Sequence, residues 1–258
     1  MRSPWLVVGV WLVGCVGEEA DDEPLDSDGS EIVGDQIAND ERPQVGQLST
    51  VNSEGGRGIC TGTLVGKQTV ITAKHCIHLP AGSKATDGTA GSCKGTFVID
   101  RKGQGAKGLR GIAYDTCWVY DPQKEDGGYA SDIAFLRLSE PVSDLKPMQI
   151  ANDARYQTLT AYGYGRSGDV SFSGRCSEGA DGNKRKIVYN ARPGIVLGTV
   201  TCNGDSGGPH LRSDGALVAL TSRGGFGLDF TARLGGNRWQ WIQDTCKAAE
   251  GAACTFAK

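Results

Sequence analysis

The stretch Cys202-Asn203-Gly204-Asp205-Ser206-Gly207-Gly208-Pro209 sets a serine among glycines, and two readings of it lead to two different folds. Gly204-Asp205-Ser206-Gly207-Gly208 satisfies G-x-S-x-G, the sharp strand-to-helix turn that raises a nucleophilic serine above a doubly wound sheet, with an acid and then a histidine following along the chain. Here the only histidine after Ser206 is His210, with no acid between them and no strand-helix-strand pattern around them. The flanking chain instead runs in short apolar segments broken by glycine. Thr63-Val65, Val70-Thr72, Thr96-Ile99, Ile133-Leu138, Leu159-Tyr162, Lys186-Tyr189 and Ala216-Leu220 read as strands. Only Arg238 to Lys247, with Trp239, Trp241 and Ile242, reads as a helix. The pattern predicts an all-β barrel or sandwich.

Composition agrees with that class. The chain has 258 residues, 38% hydrophobic and 22% charged, long enough for one large or two small domains with a core, which excludes low-complexity disorder for most of it. Its 39 glycines and 7% aromatics suit tight turns between short strands. The net charge of -3 offers no route to nucleic acid, and it averages unlike segments.

At the N-terminus, Arg2 precedes the apolar run Trp5 to Val13, too short for a permanent membrane helix and read as a signal peptide over residues 1-14. Leu12-Val13-Gly14-Cys15 resembles the lipobox of bacterial lipoproteins, which implies a lipid anchor on Cys15; the alternative is an ordinary secretory signal. Residues 15-31 then carry eight acids and no basic residue, a composition that cannot bury enough surface to order itself and reads as a solvated tether. The remainder, 32-258, holds 26 basic and 22 acidic residues. The folded domain is thus mildly basic.

Three segments each hold one member of a nucleophilic triad: Ile71-Thr72-Ala73-Lys74-His75-Cys76, Ser131-Asp132-Ile133-Ala134-Phe135-Leu136, and the stretch around Ser206. In this order they resemble the motifs T-A-A-H-C, D-I-A-L and G-D-S-G-G-P of the chymotrypsin/trypsin-like serine proteases, and the resemblance runs from Ile32 to about Lys247. It implies two antiparallel six-stranded β-barrels with a short C-terminal helix, no cofactor, protein or peptide substrates, protein inhibitors as partners, and an exported monomer. The chemistry fits the residue types. A serine hydroxyl is a poor nucleophile at neutral pH, so Ser206 needs a base, and His75 can take its proton and return it to the leaving amine. Asp132 would hold the imidazole in one tautomer and stabilise the imidazolium. The glycines let the amides of Gly204 and Ser206 converge on the oxyanion of the tetrahedral intermediate.

The resemblance reaches further positions. Ile32-Val33-Gly34-Asp35 is similar to the family's activation site, where cleavage before the isoleucine frees an amine that pairs with the acid before the nucleophile, here Asp205. Glu31 stands where arginine is common, so a glutamate-directed protease, self-processing and an uncut tether all remain open. Val200 occupies the position that carries aspartate in members cleaving after basic residues, which argues for a small or medium apolar P1. Ser222-Arg223-Gly224 matches the substrate-binding S-W-G strand. Asp229, if it reaches the pocket, restores a basic preference, and Thr201 with Arg223 and Glu31 permits an acidic one.

Without Cys15 the cysteines number eight, an even count suited to a secreted disulfide framework. The resemblance pairs Cys60 with Cys76, and Cys93-Cys117, Cys176-Cys202 and Cys246-Cys254 complete the set. No metal is expected, because His78 and His210 have no ligand-spaced companions and no cysteine is spare. Gly163-Tyr164-Gly165-Arg166-Ser167-Gly168 satisfies G-x-G-x-x-G, yet no helix follows to supply a phosphate-binding dipole. The reading is a serine endopeptidase; the alternative is a non-catalytic, protein-binding surface lipoprotein of the same fold.

Overall fold

The computed structural model describes residues 35–257 except 39–40, 52–55, 80–88, 101–108, 121–130, 153–157, 167–175, 177–183, 191–194, 198–200, 226–227 and 252–253. The signal and tether, with Cys15 and Ile32, lie outside the described residues, and so does Val200.

Among the described residues, thirteen strands and one α-helix follow in order: β1 (Asp35–Gln36), β2 (Val45–Val51), β3 (Arg57–Leu64), β4 (Thr69–Thr72), β5 (Gly91–Asp100), β6 (Leu109–Val119), β7 (Ala134–Leu138), β8 (Thr158–Gly163), β9 (Arg185–Asn190), β10 (Ile195–Leu197), β11 (Pro209–Leu211), β12 (Leu217–Gly225), β13 (Leu228–Arg233) and α1 (Trp239–Glu250). The first half closes into an antiparallel barrel ordered β2-β3-β4-β7-β6-β5, with β5 returning to β2 through pairs such as Leu48↔Phe97. Closure removes the exposed sheet edges that would otherwise template association. Leu48, Leu64, Phe97, Ile112 and Leu136 fill the interior and are fully buried.

In the second half the described strands do not show the closure of the expected second barrel. Its described strands form one seven-stranded antiparallel sheet, β1-β9-β8-β11-β12-β13-β10, with no pairing between its two ends.

The two halves share a core. Trp118, Tyr120 and Phe135 of the barrel half pack with Tyr162, Leu211, Leu220 and Ile242 of the other. Helix α1 bridges them. Ile242, Cys246 and Ala249 repeat at helical spacing on its buried face, while Trp241 lies 5.0 Å from the Tyr120 ring and 5.6 Å from that of Phe135. The helix ends at Gly251, whose φ of 67° is the left-handed cap conformation. It starts one residue later and runs three residues further than the sequence pattern predicts, after a 3-10 turn at Gly236–Arg238.

Candidate active site

Antiparallel pairing of β4 with β7 ends at Thr72↔Ala134. The residues just past the end of one strand and just before the start of the other must therefore meet at the rim of the barrel. The 3-10 turn Lys74–Cys76 follows β4, and Asp132 precedes β7. His75 accordingly meets Asp132 twice: its backbone N–H donates to Oδ1 at 2.9 Å, and Nδ1 lies 2.7 Å from Oδ2. A carboxylate at Nδ1 fixes the proton there, so Nε2 is left as the acceptor. The imidazole is half exposed, while Asp132 is buried.

Asp132 has a third partner, the Ser222 hydroxyl on β12, which donates to Oδ2 at 2.6 Å. Burial by itself would raise the pKa of this carboxyl. The hydrogen bond and charge of His75, with the Ser222 bond, outweigh it and hold Asp132 below its ordinary value. Asp132 is thereby kept ionised beside the ring.

Ser206 sits on the turn before β11, and that turn is tied to the barrel. The Thr61 N–H on β3 donates to the Ser206 carbonyl at 2.8 Å, and Thr61 Oγ1 donates to the Gly204 carbonyl at 2.9 Å while accepting from Tyr164 N–H at 3.0 Å. Gly207 donates to the Thr221 carbonyl at 2.7 Å. Its φ is 81°, and a Cβ there would meet the Thr72 hydroxyl, so only glycine fits. Ser206 Oγ lies 3.5 Å from the Ser222 carbonyl. Among the described residues, neither the Gly204 nor the Ser206 amide donates to another backbone group.

Asp205 turns the other way, into the second sheet, and is buried. Gly165 N–H donates to its Oδ1 at 2.7 Å and Cys202 N–H to Oδ2 at 2.8 Å. Burial pushes its pKa up to about 6, against those two hydrogen bonds and the charge of Arg185, which pull it down. A Cβ on Gly163 or Gly165 would run into this carboxylate. The Gly163-Tyr164-Gly165 turn is therefore shaped around Asp205, which gives the G-x-G-x-x-G match a physical reason unconnected with phosphate.

On the far side of Ser206, Thr201 is buried and Gly224 on β12 faces Asp229 on β13. Asp229 is fully buried. The sequence leaves its alignment open; the strand register settles that it stands opposite Gly224. Thr61 and its neighbour Thr72, whose hydroxyl donates to the Thr61 carbonyl at 2.8 Å, are support residues that sequence reasoning misses, since in a strand they look like ordinary β-branched positions.

The structure joins Cys60 to Cys76, Cys93 to Cys117, Cys176 to Cys202 and Cys246 to Cys254, with Cα separations of 5.4–6.2 Å. The first pins the His75 turn to β3. Cys60, His75 and Cys76 are also the one group of clustered metal-ligand atoms among the described residues, but two of the three are disulfide sulfurs with no thiolate to offer.

The family described as Trypsin matches residues 31–233. A trypsin-like protease of Streptomyces glaucescens is 29% identical over 61% of this chain, an alignment spanning 60% of that protein's own length. A trypsin of Saccharopolyspora erythraea is 28% identical over 75% of this chain and 86% of its own. Among solved structures, the protease Anisep from Arthrobacter nicotinovorans superposes with a TM-score of 0.60 at 19% identity, covering 85% of this chain and 99% of that one. A thermostable serine protease from an extremophilic microorganism gives 0.58 at 21%, covering 81% and 98%.

Proposed function

The chain belongs to the trypsin family, and from that premise we propose that it is a serine endopeptidase in which Ser206, His75 and Asp132 act as nucleophile, base and orienting acid. The observation that carries this is the doubly bonded His75–Asp132 pair, with Nδ1 at 2.7 Å from a buried carboxylate and Nε2 left to accept a proton. In the reaction, Ser206 Oγ attacks the scissile carbonyl as its proton passes to His75 Nε2. Asp132 stabilises the imidazolium that results. The oxyanion takes hydrogen bonds from the Gly204 and Ser206 amides, each worth roughly 3 to 4 kcal/mol of transition-state stabilisation. His75 then gives its proton to the leaving amine, the acyl group stays on Ser206, and water releases it by the same steps in reverse. Ser206 Oγ swings from the Ser222 carbonyl to the imidazole when substrate binds, since such bonds are commonly loose without one.

Two further elements of the reading concern processing. Cleavage before Ile32 supplies an ammonium to Asp205, the buried carboxylate behind the oxyanion turn, and ionises it. Export, lipidation at Cys15 and shedding of the acidic tether explain why a mildly basic, four-disulfide domain carries such a leader. Among the described residues no helix is long and apolar enough to cross a membrane. Alkylphosphonyl fluoride labelling tests the proposal: one adduct on Ser206, absent in Ser206→Ala, is expected. No adduct in protein whose N-terminus is Ile32 favours the non-catalytic binding module instead.

A further inference from the structure

The turn that carries Ser206 is joined to a cation through a single glycine. Gly165 donates its N–H to Asp205 Oδ1 at 2.7 Å, and its carbonyl accepts from Arg185 Nη1 at 3.4 Å. Carboxylate and guanidinium thus stand at the two ends of one residue, and because Asp205 is buried, water screens the cation from it only weakly. β8 pairs with β9 at Gly163↔Arg185, which sets the arginine beside the start of the glycine turn. Its neighbours are occupied elsewhere. Lys184 is fully buried, with Nζ donating to the carbonyls of Glu41 at 3.1 Å and Arg42 at 2.9 Å, and Lys186 is bonded to Glu41 Oε1 at 2.9 Å. Of these three cations in a row, Arg185 is the one turned to the Gly165 carbonyl. Burial raises the pKa of Asp205, and the charge of Arg185, after the two backbone amides, pulls it back. The two turns are also tied directly, Arg166 N–H donating to the Asn203 carbonyl at 2.9 Å and Tyr164 N–H to the Thr61 hydroxyl that bonds Gly204.

We propose that Arg185 is a positioning residue of the nucleophile turn: acting through Gly165, its guanidinium holds Asp205 in place in the uncut chain, so Ser206 stands assembled before any cleavage at Ile32. This rests on the endopeptidase reading above. The physical reason is charge balance. A carboxylate buried on neutral amides alone still carries a desolvation cost, which a fixed cation one residue away offsets. The peptide groups between them are polarised in the same sense, since the carbonyl of Gly165 faces the cation and its N–H faces the anion. An ammonium freed before Ile32 then adds to a turn already formed. Cleavage accordingly changes the rate modestly and releases the acidic tether, without switching the site from silent to active. Arg185 touches no reacting atom; it acts on Ser206 through Asp205, the residue before it.

The experiment compares the disulfide-bonded chain that retains its acidic tether with the same chain cut before Ile32, each form verified by intact mass, and follows phosphonyl fluoride labelling of Ser206. The tethered chain should label within about tenfold of the rate of the cut chain. Arg185→Met should slow labelling of the tethered chain by about 100-fold, and Arg185→Lys, which keeps the charge, should restore most of it. In the cut chain, where an ammonium can serve Asp205, Arg185→Met should cost about threefold or less. A wild-type chain that labels only after cutting overturns the proposal, as does an Arg185→Met loss of equal size in both forms, which a merely structural role would give. A double-mutant cycle supplies a readout independent of Ser206. In urea unfolding of the tethered chain, Arg185→Met should lower the midpoint, and in Asp205→Asn it should have no further effect. Additive losses contradict the role of Arg185 even where Ser206 reacts; coupling without labelling upholds it and contradicts the endopeptidase reading alone.

Discussion

The closed barrel and the second sheet each bury an aspartate, and they treat it in opposite ways. Asp132, at the barrel rim, is held charged by His75 and the Ser222 hydroxyl. Asp205, under the sheet, has two backbone amides and a desolvating surround, and its pKa is pushed up to about 6. The difference follows from what surrounds each group. The barrel supplies a titratable partner at a strand junction set by regular pairing. The sheet supplies a turn whose parts are tied down by long-range bonds from Thr61. One half thus fixes the His75–Asp132 pair through its own register, and the other fixes Ser206 by leaning on its neighbour. Two carboxylates with pKa values driven apart by environment mark two different tasks.

The comparison can be broken most severely at the sheet. Ser206→Ala should lower kcat by roughly 10^5- to 10^6-fold, leaving the fold intact, as a steady-state assay with an unchanged circular dichroism spectrum would register. At the barrel, Asp132→Asn keeps the shape but frees the tautomer of His75, and roughly 10^4-fold in kcat should be lost. If Asp132→Asn cost as little as a surface change, the assignment of the charged aspartate to the ring would be wrong.

Acid probes the sheet on its own. His210 on β11 is fully buried, 2.8 Å from Thr221 Oγ1, and burial drives its pKa down to about 3. The unfolded chain therefore binds a proton near its ordinary value of 6.5 that the folded chain refuses. Stability is complete above pH 6.5 and is lost as pH falls toward 3, by of order 4 kcal/mol. Asp205 works with the opposite sign: its raised pKa stabilises the fold at low pH and that contribution disappears as pH rises through about 6. Urea midpoints from pH 7 to 4 should fall for the wild-type protein. In His210→Gln, which keeps a hydrogen-bonding group but does not titrate, they should rise or stay level.

Removing the Cys60–Cys76 bridge, which closes a loop with a sequence separation of 16, should cost roughly 3 kcal/mol of stability. It should also lower kcat, because the His75 turn loses its clamp to β3. The smallest expected effect sharpens the contrast most. Thr61→Val deletes the hydroxyl that joins the Gly204 carbonyl to the Tyr164 amide, so about 1–3 kcal/mol should be lost and the phosphonyl fluoride reaction slowed. The His75–Asp132 pair should be untouched, which the chemical shift of the His75 Nδ1 proton would report.

The two halves also differ in how far they can be read from the chain alone. Val70-Thr72 and Ile133-Leu138 are apolar on both faces and stand out as β4 and β7, and with them the meeting of His75 and Asp132 at their ends. The G-D-S-G-G-P stretch likewise gives away Ser206 and the glycine turn that carries it. β2 is hidden because Gln47, Ser49 and Thr50 dilute its apolar positions, and β13 because Asp229 and Arg233 look like loop residues. A buried aspartate breaks the alternation that marks a strand. Its burial is a property of the β12–β13 register, which no local pattern encodes.

The most direct test of the central claim is to trap the acyl-enzyme. Protein processed to Ile32 is mixed for milliseconds with a peptide ester, quenched in acid and examined by peptide mass spectrometry. The account predicts one acyl group on Ser206 that forms in a burst, decays at the turnover rate and disappears in Ser206→Ala. Hydrolysis with no adduct on Ser206, or an adduct on another residue, would contradict it.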